Sequence, residues 1–103
     1  MEELRVRLEF ALPADEKNRI TLENGTDGIT DVTLDVHGMP CSKVQRLIRN
    51  MLNLARQRFR LTVIHGYNHG TAIKSMLPTI RNQHIVEMHE DTWNQGRTHI
   101  LVA

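Results

Sequence analysis

Two apolar runs in this chain end in the same dipeptide, and each passes into a segment able to start a helix. The first is Leu34-Asp35-Val36-His37-Gly38; the second is Val63-Ile64-His65-Gly66-Tyr67-Asn68-His69-Gly70. Strand, loop and helix repeated in this way point to an open α/β sheet, in which ligands bind at the carboxyl ends of the strands. The repetition therefore implies one site assembled from two stretches distant in sequence.

The segment between the two runs is the clearest helix in the chain. Val44, Leu47, Ile48, Met51, Leu52 and Ala55 form an amphipathic stripe, with polar residues off it. Pro40 and the pattern Ser42-x-x-Gln45, a capping box, mark its start. Phe59 to Ile64 follows as a strand rich in β-formers. A second helix is expected from Thr71, with Ala72, Ile73, Met76, Leu77 and Ile80 as its apolar side and Pro78 shortening or kinking it. Ile85 to Met88 and Thr98 to Val102 read as two more strands, joined through Asn94-Gln95-Gly96. At the N-terminus, Leu4, Val6, Leu8, Phe10 and Leu12 alternate with other residues, the period-two pattern of a half-buried strand. Pro13 ends it, residues 14–19 read as a loop, and Ile20 to Leu22 is briefly extended before the Asn24-Gly25 turn. The expected organisation is an N-terminal strand extension, residues 1–30, packed on a domain of residues 31–103. That domain is an α/β two-layer sandwich with a β-α-β-α-β-β core.

The net charge of +1 hides a segregated distribution. No acid occurs between Asp35 and Glu87, a stretch that holds Lys43, Arg46, Arg49, Arg56, Arg58, Arg60, Lys74 and Arg81. The first 35 residues carry nine acids against four bases, and residues 87–103 carry three against one. A helix surface selected for stability alone interleaves acids with bases to gain i,i+4 pairs. Eight bases without an acid instead suit a polyanion, and Lys43, Arg46, Arg49, Arg56 and Lys74 are the candidate phosphate contacts. Cys41 is the sole cysteine, so no intrachain disulfide forms and a reducing compartment is expected. No signal peptide and no apolar run of membrane-spanning length is present, so cytoplasmic residence and no membrane partner are the expectations.

The motifs also carry a resemblance. LDVHG, followed after a helix by VIHGYNHG, resembles the Smr (small MutS-related) domain, whose marks are an LDxHG and an HGxGxG motif, over roughly Asp31 to Ala103. The first motif is intact. The second keeps Gly66 and Gly70 but has Asn68 at the middle glycine position. The resemblance implies a sandwich like the C-terminal domain of translation initiation factor three, and nicking endonuclease activity on DNA, with RNA cleavage in some members. Members differ in metal dependence, so Mg²⁺ or Mn²⁺ is left open as a cofactor.

Phosphodiester hydrolysis needs an activated water, stabilised charge on phosphorus and a proton for the leaving oxygen. Asp35 and His37 lie two apart, hence on one strand face, and are expected as catalytic residues, joined by His65 from the second motif. Gly66, Asn68 and Gly70 are expected to hold a phosphate through backbone N–H groups. A strand-end Asp also commonly caps its own loop, so both roles stand for Asp35. His65-x-x-x-His69 has metal-ligand spacing but lacks a third ligand. Tyr67 can stack on a base or simply pack its ring. His84, His89 and His99 read as surface residues. Two further functions fit the same residues: a non-catalytic nucleic-acid or ribosome-associated binding module, and a metal-dependent hydrolase of small phosphates. The acid-free stretch disfavours the last, since a small substrate needs fewer bases.

Overall fold

In the computed structural model, which describes residues 2–66 and 71–103, the two strands that end in His-Gly lie side by side. They are β2 (Thr30–Asp35) and β3 (Phe59–Ile64), paired in parallel so that Asp35 is level with Ile64. The helix between them, α2 (Cys41–Leu54), makes the crossover that parallel pairing requires. Strand β1 (Ile20–Asn24) pairs antiparallel with β2, and β5 (Arg97–Val102) pairs antiparallel with β3 and with β4 (Ile85–Glu90). The five-stranded mixed sheet has the order β1-β2-β3-β5-β4. With α1 (Glu2–Ala11) and α3 (Thr71–Met76) it makes the expected two-layer α/β arrangement.

Alternation decides which face is covered. In β2 and β3 every second residue is buried, and Val32, Leu34, Phe59, Leu61 and Val63 join the α2 stripe of Val44, Leu47, Ile48, Met51 and Leu52 in one core. The other face carries Asp31, Thr33, Asp35, Arg60 and Thr62, all partly exposed.

The N-terminus departs from expectation: residues 2–11 form a helix, not a strand. Leu4, Leu8 and Leu12 are four apart, a spacing that satisfies the strand period of two and also a helical turn. Exposure separates the two. Leu4 and Leu8 are fully buried, whereas Val6 is 52% and Phe10 79% exposed. Glu3 and Arg7, one turn apart, form an ion pair at 2.9 Å on the outer side. The following residues, Ala14–Arg19, make a 3-10 turn rather than a loop. The whole extension shares the core of the rest through Leu4, Leu8, Leu12, Ile20 and Leu22.

Two smaller expectations also meet the structure. The Ser42-x-x-Gln45 capping box is not used. Pro40 is the N-cap, without a side-chain cap, and its carbonyl accepts the Lys43 and Val44 N–H groups. Gly38, at φ +78°, and the Met39 N–H bond to the Val36 carbonyl turn the chain early enough to start the helix there. Pro78 does shorten its helix: α3 stops at Met76 and a 3-10 turn, Leu77–Thr79, follows. Among the described residues, no helix is long and apolar enough to cross a membrane.

Candidate nucleic-acid site

Asp35 is the last residue of β2, and His37 lies just beyond it. One oxygen of Asp35, Oδ1, accepts the His37 backbone N–H at 3.1 Å and stands 2.5 Å from His37 Nδ1. A carboxylate only accepts, so Nδ1 carries a proton and Nε2 lies on the far side of the ring from the carboxylate. The imidazole is two-thirds exposed, and Nε2 has no partner among the described residues. Burial opposes the charge on Asp35, but the bonds from the His37 ring and backbone N–H outweigh it, helped by the charges of His37 and Arg19. The carboxyl is held below its usual range. The capping role expected of a strand-end Asp is filled by Oδ1, and the same atom contacts the His37 ring.

The extension props this strand end. Arg19 Nη1 donates to the carbonyls of Asp35 (3.3 Å) and His37 (3.2 Å), on either side of Val36. Arg19 is itself paired with the buried Glu16, which also takes Lys43 Nζ at 3.0 Å. Nothing in the motif spacing signals Arg19, because its partners are backbone atoms of another segment.

The second His-Gly end lies against the first. The Val36 N–H bonds to the Ile64 carbonyl at 2.9 Å, and a Cβ placed on Gly66 would be 3.8 Å from His37 Cβ. Gly66 has φ +80°, a left-handed conformation that glycine adopts without the cost of a side chain. His65, expected at the reacting centre, is instead buried, 2% exposed. Its Nδ1 lies 3.2 Å from the Gly66 carbonyl and its Nε2 2.9 Å from the Thr98 hydroxyl. The carbonyl can only accept, so Nδ1 is protonated and Nε2 takes the hydroxyl proton. Burial pushes the His65 pKa down, against the Gly66 carbonyl bond, and the ring is held neutral. It fixes the strand end from beneath. Tyr67, Asn68, His69 and Gly70 lie outside the described residues, and with them most of the expected phosphate loop.

The basic stretch divides into paired and unpaired charges. Arg60 Nε donates to Asp31 and Nη1 to Asp27, both at 2.5 Å, which holds the Asp27 carboxyl down at about 2. Lys74 pairs with Glu90 at 3.4 Å, and Lys43 with Glu16. Arg46, Arg49, Arg56 and Arg58 are exposed and have no ion-pair partner among the described residues. A hollow of about 580 Å³ on the open sheet face is lined by Asp27, Asp31, Arg60, Thr62, His89 and His99. Arg60 there pairs with Asp27 and Asp31, while Arg58 and Glu87 also line it, and it is not at the His-Gly ends. Among the described residues, no group of three or more His, Cys, Asp or Glu is placed to hold a metal ion.

The structure adds Arg97, which the charge pattern missed because it lies beyond the acid-free stretch. It starts β5 level with Ile64, which is level with Asp35, so it is two strand spacings, about 10 Å, from the Asp35 backbone. Its side chain is exposed and has no ion-pair partner among the described residues. Compared with protein-family models, curated proteins and solved structures, the chain matches none.

Proposed function

We propose that this chain is a nucleic-acid-binding domain of the Smr type that nicks a phosphodiester strand, with Asp35 and His37 as the reacting pair. The observation that carries the reading is the 2.5 Å contact between Asp35 Oδ1 and His37 Nδ1 at an exposed strand end. A carboxylate that holds one imidazole nitrogen aims the other, and stabilises the ring once it is protonated. His37 Nε2 takes a proton from water as the oxygen attacks phosphorus. The bond to the leaving oxygen breaks, and the imidazolium returns its proton to that oxygen, giving a phosphate end and a hydroxyl end. Arg97 and the unpaired arginines of α2 hold neighbouring phosphates.

The test is strand cleavage by pure protein on supercoiled plasmid and on single-stranded RNA, with and without Mg²⁺ or Mn²⁺. General acid–base catalysis contributes about 10²–10⁴-fold, so Asp35→Ala with His37→Ala is expected to lose at least about a hundredfold in rate. Nicking unchanged in the double variant overturns the assignment.

A second reading, a non-catalytic nucleic-acid or ribosome-associated module, is favoured by one observation. Asp35 Oδ1 already accepts the His37 backbone N–H, a capping duty complete without chemistry. It expects salt-sensitive binding and no cleavage of either substrate.

A further inference from the structure

Trp93, the only tryptophan of the chain, is 94% exposed. An indole normally buries a large apolar area, so a ring left in water is an anomaly of placement. Here the backbone beneath it is braced. Asp91 Oδ1 accepts the N–H groups of Trp93 at 2.8 Å and Asn94 at 3.0 Å. Asp91 Oδ2 is 2.7 Å from His99 Nε2, and His99 Nδ1 is 2.9 Å from the Thr62 hydroxyl, which ties the turn to the middle of the sheet. The side-chain oxygen of Asn94 accepts the Gly96 N–H at 2.9 Å.

The same turn is fastened to the candidate site. The Gly96 carbonyl accepts both the His65 N–H at 2.9 Å and the Gly66 N–H at 3.1 Å. A Cβ on Gly96 would come within 3.3 Å of Gly66 Cα, tighter than side chains ordinarily sit, so glycine eases this approach. Gly66 in turn faces His37. The chain of contacts runs from the catalytic imidazole through Gly66 and Gly96 to a turn that holds an aromatic ring in solvent, with Arg97 directly after it.

We propose that Trp93 stacks on an unpaired nucleobase flanking the phosphate held at Asp35 and His37, which makes the substrate single-stranded or locally unpaired nucleic acid. The inference rests on the nucleic-acid reading above. A base within a duplex has both faces covered by its neighbours, so only an unpaired base offers a face to the indole. Arg97, on the same hairpin, takes the adjoining phosphate.

A sole tryptophan makes the test direct. Its emission is followed while the full chain is titrated at low salt with four probes: single-stranded DNA, single-stranded RNA, the matching duplex, and a single strand whose central positions are abasic. Quenching by the single strands, with little by the abasic strand or the duplex, is the expected result. The DNA and RNA arms separate the two sugars. Trp93→Ala is expected to weaken single-strand binding about five- to 150-fold and Trp93→Phe to restore most of it. Circular dichroism of both variants is expected to match the parent, because the ring packs on so little. Tight binding with unchanged emission, and equal affinity for Trp93→Ala, overturns the stacking role while leaving nucleic-acid binding in place. An equal loss on duplex and single strand overturns the unpaired-base assignment. Binding to none of the probes overturns both this inference and the function it rests on.

Discussion

Asp35 and His65 end neighbouring segments of the same motif pair, yet their environments assign them opposite work. Asp35 is partly exposed and ionised, with its oxygen committed to an imidazole that faces water. His65 is closed in by Thr98 and Gly66 and held neutral by burial. That difference has a pH signature. A base whose pKa is lower folded than unfolded binds more protons in the unfolded chain, so stability rises with pH across that window. For His65 the loss begins as pH falls through about 6.5, the unfolded value, and is complete below the depressed folded value. The lowered carboxylates, Asp35 among them, act only in a lower range, near and below about 4. Urea midpoints measured between pH 7.5 and 5.5 are expected to fall for the parent chain, and less steeply for His65→Gln, which is less stable at the upper end. Parallel slopes for the two would remove burial of neutral His65 as the cause. The Asp35–His37 pair was legible in the sequence from its spacing of two at a strand end, although His37 falls in the turn past β2, where Asp35 also accepts its backbone N–H. The depth of His65 was not, because the groups that enclose it come from β5.

At the scale of elements, α1 shows how one pattern can satisfy two periods. Alternation from Leu4 to Leu12 reads as a strand, but the residues that matter are the ones four apart. Helix formation then puts Val6 and Phe10 outside and leaves Leu4 and Leu8 sealed against α2. Truncating a buried leucine removes its burial and leaves a cavity, so Leu8→Ala is expected to cost about 2–5 kcal/mol. Phe10→Ser, on the exposed side, is expected to stay within about 0.5 kcal/mol of the parent. Denaturant unfolding of the two variants checks this, and equal losses would fit a strand with both residues on one face. In α2 the apolar stripe and the start at Pro40 were read correctly, and the Ser42 capping box was not. Side-chain capping patterns compete with backbone turns, and here the turn at Gly38 set the entry point before Ser42 was reached. Pro78 acted as expected, since its missing N–H and fixed ring operate whatever surrounds them.

Across the whole molecule, folding sorts the eight bases of the acid-free stretch. Acids from outside it return to Lys43, Arg60 and Lys74, while Arg46, Arg49, Arg56, Arg58 and Arg81 have no ion-pair partner among the described residues. Each phosphate contact released by salt lowers the slope of log affinity against log salt by roughly 0.7–0.9. Arg46→Ala with Arg49→Ala is therefore expected to weaken nucleic-acid binding and flatten that slope by roughly 1.4–1.8. Arg60→Ala is expected to lower stability and leave the slope as it was. Affinities measured over a salt series distinguish the two, and a slope change for Arg60→Ala alone would place the polyanion on the open sheet face. By itself the sequence determined the strand and helix types of the core from β1 onward, the His-Gly turns at Gly38 and Gly66, and the position of a carboxylate–imidazole pair. Those features follow from local sterics and from the match between residue period and solvent. Only the tertiary structure decided that the N-terminus is a helix, that His65 is buried, which bases have no ion-pair partner among the described residues, and that the turn carrying Trp93 is fastened to Gly66. Each of these depends on a partner brought in from another segment, Leu4 on α2, His65 on Thr98, Arg60 on Asp27 and Asp31, Gly96 on Gly66, and no local pattern encodes a contact across the fold.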